Sequence, residues 1–173
     1  MNALTKAIFV SSLMASFVVG IAVAQSREQQ IKNSPLQRLV TPVYKEYAWT
    51  IIFAPEQPVS PSVSLTQERL RKLKRVFTDD LAQAIFDDAQ CVRKTSEVCL
   101  LDFDILFDSQ DVDARNLIIR SKTHQLVEAC FVDQTEKQRC VEFVGVRSKN
   151  GVRVCDLRYD QSGRSLRTIL RLQ

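Results

Sequence analysis

Apolar residues change their spacing past the middle of this 173-residue chain, and that change selects the fold class. Up to about residue 91 they recur at three- and four-residue steps, the spacing of one helix face. Leu36, Leu39, Val40, Val43, Tyr44, Tyr47 and Ile51 form a first such series, entered through Ser34-Pro35-Leu36-Gln37, a capping-box pattern with proline at the first helical position. Pro42 is expected to kink that helix or restart it after Thr41. The prolines between Pro55 and Pro61 mark a connecting loop. A second helix, capped by Thr66, carries Leu70, Leu73, Phe77, Leu81 and Ile85 on its inner face. Arg69, Lys72, Arg75 and Asp79 form its solvated face.

From Val98 the period falls to two, with Leu101, Phe103 and Ile105 on one side of an extended segment reaching Asp111 and Asp102 and Asp104 on the other. Three more strands are predicted at Thr123 to Val132, Gln138 to Ser148 and Val152 to Tyr159. The last two join through Lys149-Asn150-Gly151, a hairpin signal. A short helix bearing Leu166, Ile169 and Leu170 follows Ser162-Gly163. Helices first and strands later is the order of an α+β domain, not of repeated βαβ units.

The amino end has a different purpose. After Lys6 runs an uncharged apolar stretch from Ala7 to Val19, then Ala22-Val23-Ala24 and the polar Gln25-Ser26-Arg27. This is the layout of a secretory signal peptide cleaved between Ala24 and Gln25. The expected organisation is a signal peptide over residues 1–24, a loose lead-in over 25–34 and one α+β domain over 35–173. The expected address is the periplasm, with secretion or anchoring by an uncleaved amino-terminal segment as alternatives. After cleavage no stable membrane span is expected, since Ser11, Ser12, Ser16 and Gly20 already dilute the apolar run.

Cysteine usage agrees with export, because all five cysteines follow the signal segment and none forms a C-x-x-C pair. Cys91 closes a helical stretch and Cys99 opens an extended one, so a short loop brings them together. Cys130 and Cys140 flank Asp133 to Lys137, and a hairpin centred on Thr135 places them opposite each other. Those two disulfides are expected, with Cys155 left as a small buried thiol on an apolar strand face.

The net charge is +4, of which Lys6 contributes one, and both signs are interspersed. Nucleic acid is not an expected partner. His124 is the one histidine, so acid/base chemistry would rest on it, with Asp102, Asp104 or Asp111 as its partner. The same carboxylates lack the later ligands and glycine of a calcium loop, and no metal is expected. There is no Gly-x-Ser-x-Gly elbow, and four glycines in all leave no nucleotide-binding loop, so no cofactor is expected either.

Several local patterns occur in a recognisable order: Val43-Tyr44-Lys45-Glu46-Tyr47, Leu65-Thr66-Gln67-Glu68-Arg69-Leu70, Leu101-Asp102-Phe103-Asp104 with Gln110-Asp111, and Asn150-Gly151-Val152-Arg153-Val154-Cys155-Asp156-Leu157 followed by Gly163-Arg164-Ser165-Leu166-Arg167. Over roughly Leu39 to Leu170 the chain resembles a bacterial domain-of-unknown-function family of exported proteins, itself similar to the cone-shaped nuclear-transport-factor superfamily. Val152 stands before Arg153 where that family usually has an aromatic. The resemblance implies N-terminal helices packed on a curved, mostly antiparallel, cone-shaped sheet. It also implies one enzyme hypothesis, a pocket Asp/His pair. The preferred expectation is a non-catalytic envelope protein that binds another protein, for instance an immunity-type protein against a toxin. A small ligand in the concavity of the sheet is the alternative.

Overall fold

A computed structural model describes residues 34–48, 52, 64–160 and 163–173. The signal segment, its cleavage point at Ala24 and Gln25, the lead-in up to residue 33 and the Pro55 to Pro61 loop lie outside the described residues. Helix α1 spans Pro35–Tyr47, and Ser34 caps it by accepting the Gln37 N–H at 3.1 Å. The Gln37 side chain does not return to the cap. It reaches strand β1 (Ala114–Ser121), donating to the Ile119 carbonyl and accepting from the Ser121 hydroxyl, both at 3.0 Å.

Of the two expected outcomes at Pro42, a restart does not occur: α1 runs continuously through it, with Leu36, Val40, Val43, Tyr44 and Tyr47 all buried along one stripe. Burying five such side chains contributes more than the roughly 3 kcal/mol that an interior proline costs.

The second expected helix is three pieces: a single 3-10 turn at Leu65–Gln67, α2 at Leu70–Val76 and α3 at Asp79–Thr95. Thr66 therefore lies in the turn and caps neither helix. The break falls at Phe77, whose extended backbone bridges Val154 in parallel, and the Thr78 N–H donates to the Val154 carbonyl at 2.9 Å. Asp79 and Asp80 then occupy the first turn of α3, where carboxylates favour a new helix start. Leu73, Phe77, Leu81 and Ile85 remain buried together across the break.

Strands β1, β2 (Leu126–Asp133), β3 (Gln138–Ser148) and β4 (Gly151–Tyr159) form one antiparallel sheet in sequence order. The fold is α+β, with the helices preceding a curved open sheet. Strand β1 replaces the expected strand after Val98. Residues 98–111 instead make turns, and Ile105, Leu106 and Phe107 are buried consecutively. Carboxylates hold those turns: Asp88 accepts the Leu100 N–H at 2.7 Å and Asp104 accepts the Leu106 N–H at 2.8 Å.

In the β3–β4 hairpin Ser148 pairs with Gly151, leaving Lys149 and Asn150 as the turn. Only Gly151, at φ 102°, needs the glycine there. Register shifts mark bulges between Arg115 and Ile118, where Asn116 has φ 57°, and between Val144 and Gly145. A Cβ on Gly145 would come within 2.8 Å of both Leu36 methyls, so its bare backbone lets α1 sit on the sheet. Cys155 is the extra residue opposite the second shift and is half-buried, so the thiol expected in the core lies at a bulge instead. A last helix, α4 at Leu166–Ile169, is capped by Ser165 and buries Leu166.

Both edges of the sheet carry contacts from other parts of the chain. Gln37 engages β1, while Phe77 and Ser165 bridge to Val154 and Arg158 of β4. The two expected cysteine pairs are joined as disulfides, Cys91 to Cys99 and Cys130 to Cys140, with Cα atoms 6.2 and 4.1 Å apart.

Candidate functional site

The inner face of the sheet is filled. Tyr44 meets Phe107 and Phe143 edge-on at 5.8 and 5.9 Å, and Phe107 meets Phe131 at 5.1 Å. The 104–108 turn plugs the concavity, anchored by two buried tyrosines. Tyr44 donates its hydroxyl to the Leu106 carbonyl at 2.7 Å and Tyr159 to the Ile105 carbonyl at 3.4 Å. Burial, then the neighbouring carboxylates, raises both phenols well above their ordinary range, so they stay neutral donors.

Asp104 belongs to this plug, and the Asp/His pair is not brought together. Asp102 is exposed and accepts from Gln110 at 2.9 Å, and Asp111 is exposed on the same segment. That segment packs at the Phe131 end of β2, where Asp111 shares a cavity of about 180 Å³ with Asp133 and Arg139. His124 is exposed in the turn before Leu126, at the other end of β2. The intervening strand is about 20 Å long. Asp133 is itself committed to the β2–β3 hairpin, accepting from Thr135, Lys137 and Arg139. The Thr135 hydroxyl and the Arg139 guanidinium hold its carboxyl well below the usual range.

Burial raises the Asp104 carboxyl, opposed by the Leu106 N–H. The folded state therefore holds this proton more tightly than the unfolded chain. Stability from the protonated form is present at low pH and falls as pH rises from the ordinary carboxylate range through the raised pKa. Asp104→Asn keeps an acceptor for Leu106 and removes that loss. In urea titrations the variant is expected to be the more stable at pH 7, with the gap closing at acid pH. A gap of constant size would refute this account of Asp104.

The outer face, turned away from α1, carries the charge. Glu128 is only 6% exposed and is held by Arg120 at 2.8 Å and Lys122 at 2.9 Å. Burial is the largest single influence on its carboxyl and pushes it up, but the two cations together bring it below the ordinary value. Lys122 also bridges to Glu142 at 3.1 Å, and Arg158 stands opposite Glu142 on β4. A groove of about 680 Å³ runs over this network and is lined by Lys122, Glu142, Asp156, Arg158 and Arg164. Cys140 also lines it. The sulfurs of Cys130 and Cys140 come within 4.8 Å of a Glu128 oxygen, a ligand-like cluster, but both are spent in the disulfide and neither is a thiolate.

The network was within reach of the sequence. A hairpin that puts Cys130 opposite Cys140 also puts Glu128 opposite Glu142, as the register has it. Two like charges directly across a strand pair are unfavourable unless a cation sits between them. Lys122 is that cation, supplied from the far side of a turn, where hydrophobic periodicity carries no signal.

These features define a small disulfide-braced α+β domain with a packed inner face and a charged, grooved outer one. No protein-family model, curated protein or solved structure matches the chain. No helix among the described residues is long and apolar enough to cross a membrane. Two disulfides fit an oxidising compartment.

Proposed function

We propose that this is an exported, periplasmic protein of the cell envelope that binds another protein through the outer face of its sheet, without catalysis. The observation that carries the reading is the groove over Glu142 and Arg158, where Lys122 is held between Glu128 and Glu142 and Arg158 stands opposite Glu142 on the next strand. A fixed, alternating pattern of this kind selects a partner by complementary charge and rejects others by like-charge contact. The filled inner face favours an outer-surface contact over a ligand inside the cone. The signal-like amino end and the resemblance to exported bacterial domains support the address. An immunity-type protein, masking a toxin aimed at the envelope, is the form of this function that the proposal names.

The tagged chain is expected to recover a stoichiometric partner from periplasmic extract, and Arg158→Glu to weaken that purified complex at least about tenfold with the melting temperature unchanged. Recovery of no partner would remove the binding reading. A complex indifferent to Arg158→Glu would move the contact off this face.

A further inference from the structure

We propose a second surface: the end of the domain where the chain enters is a cationic face that docks on an anionic lipid bilayer. Its geometry follows from strand direction. Strand β1 ends at Ser121, whose hydroxyl lies 2.6 Å from that of Ser34, the cap of α1. Strand β3 runs in the same direction and ends in the Lys149-Asn150 turn. The chain entry and the hairpin tip therefore share one end of the sheet.

Cations gather there from two distant stretches. Arg147 and Lys149 belong to the hairpin and are exposed. Arg153 follows on β4 and donates its Nε to the Lys74 carbonyl at 3.0 Å, which brings the end of α2, with Lys74 and exposed Arg75, against the hairpin. Lys74 pairs with the exposed Asp79 at 3.1 Å, whereas Arg75, Arg147, Lys149 and Arg153 make no ion pair among the described residues. Acids outnumber bases at the opposite end, where Asp108, Asp111, Asp113 and Asp133 line one cavity with Arg139, which pairs with Asp133, and Arg115 pairs with Glu136. The domain is charge-polarised along its strands, although the chain's net charge is only +4.

A surface with one cationic end is attracted to anionic headgroups and oriented by them, each Lys or Arg near the bilayer adding to the attraction. Lipid is favoured over nucleic acid because the exposed apolar neighbour is Val146, 38% exposed, and among the described residues no large aromatic is exposed to stack on bases.

The test is sedimentation of the purified full chain with vesicles of phosphatidylglycerol and phosphatidylcholine, against phosphatidylcholine alone. Partition into the anionic vesicles is expected to exceed that into neutral ones at least about tenfold and to collapse at high salt. Arg147→Glu with Lys149→Glu, both exposed turn-proximal positions, is expected to erase that preference while circular dichroism is unchanged. Asp111→Lys at the acidic end is expected to leave it intact. Equal binding to neutral vesicles, a preference surviving the double reversal, or tighter binding to duplex DNA than to the anionic vesicles would overturn the proposal. Each readout is independent of any protein partner on the outer face.

Discussion

Phe143→Ala is expected to lower the unfolding free energy by about 3–5 kcal/mol, the cost of an aromatic deleted from a packed core. Phe143 is 1% exposed, on the inner face of β3 under Tyr44. Its neighbours are themselves fixed: the Tyr44 hydroxyl is tied to Leu106, and α1 is pinned to β1 through Gln37. Little of the vacated space can be recovered by collapse, so a dry cavity should remain and take up a small apolar molecule such as benzene. Urea unfolding with and without benzene tests both halves. A loss below about 1 kcal/mol would mean that water already enters the concavity, reopening the small-ligand alternative.

Removing the Cys130–Cys140 bridge by a double alanine substitution is expected to cost about 3 kcal/mol. The two cysteines are 10 residues apart, and most of the effect comes from the freedom the unfolded chain regains. The native hairpin keeps its register by other means, since Asp133 still closes the turn and the β2–β3 ladder runs from Leu126 to Val132. The variant should therefore fold, with a lower denaturation midpoint equal to that of a wild-type protein in which this bridge alone has been reduced. If the midpoint does not move, the hairpin already persists in the unfolded ensemble and the cross-link constrains nothing.

Local signals were legible where one stretch of chain decided its own conformation. The Ser34 cap, the bounds of β3 and both cysteine pairs are of this kind. The segment after Val98 misleads because its alternation is real, yet the carboxylates of Asp88 and Asp104 offer its backbone closer partners than a neighbouring strand does. Strand β1 is hidden for the opposite reason: the bulge at Asn116 interrupts the alternation that would reveal it. The break at Phe77 depends on Val154, far along the chain, and no window of sequence around Phe77 contains that partner. The same distance separates Lys74 from Arg153, which is why the cationic end emerges only from the fold.

The contacts on the edges of the sheet have a consequence for how such a chain survives its own biogenesis. A newly made polypeptide meets other extended chains before it has a core, and an open strand is the template on which they add. Here the edge of β1 is engaged by a glutamine from the first helix, and that of β4 is bridged at Val154 and at Arg158 by segments of the same molecule. Where those contacts form, an incoming strand finds the backbone groups at Ile119, Val154 and Arg158 already engaged and has less template on which to add.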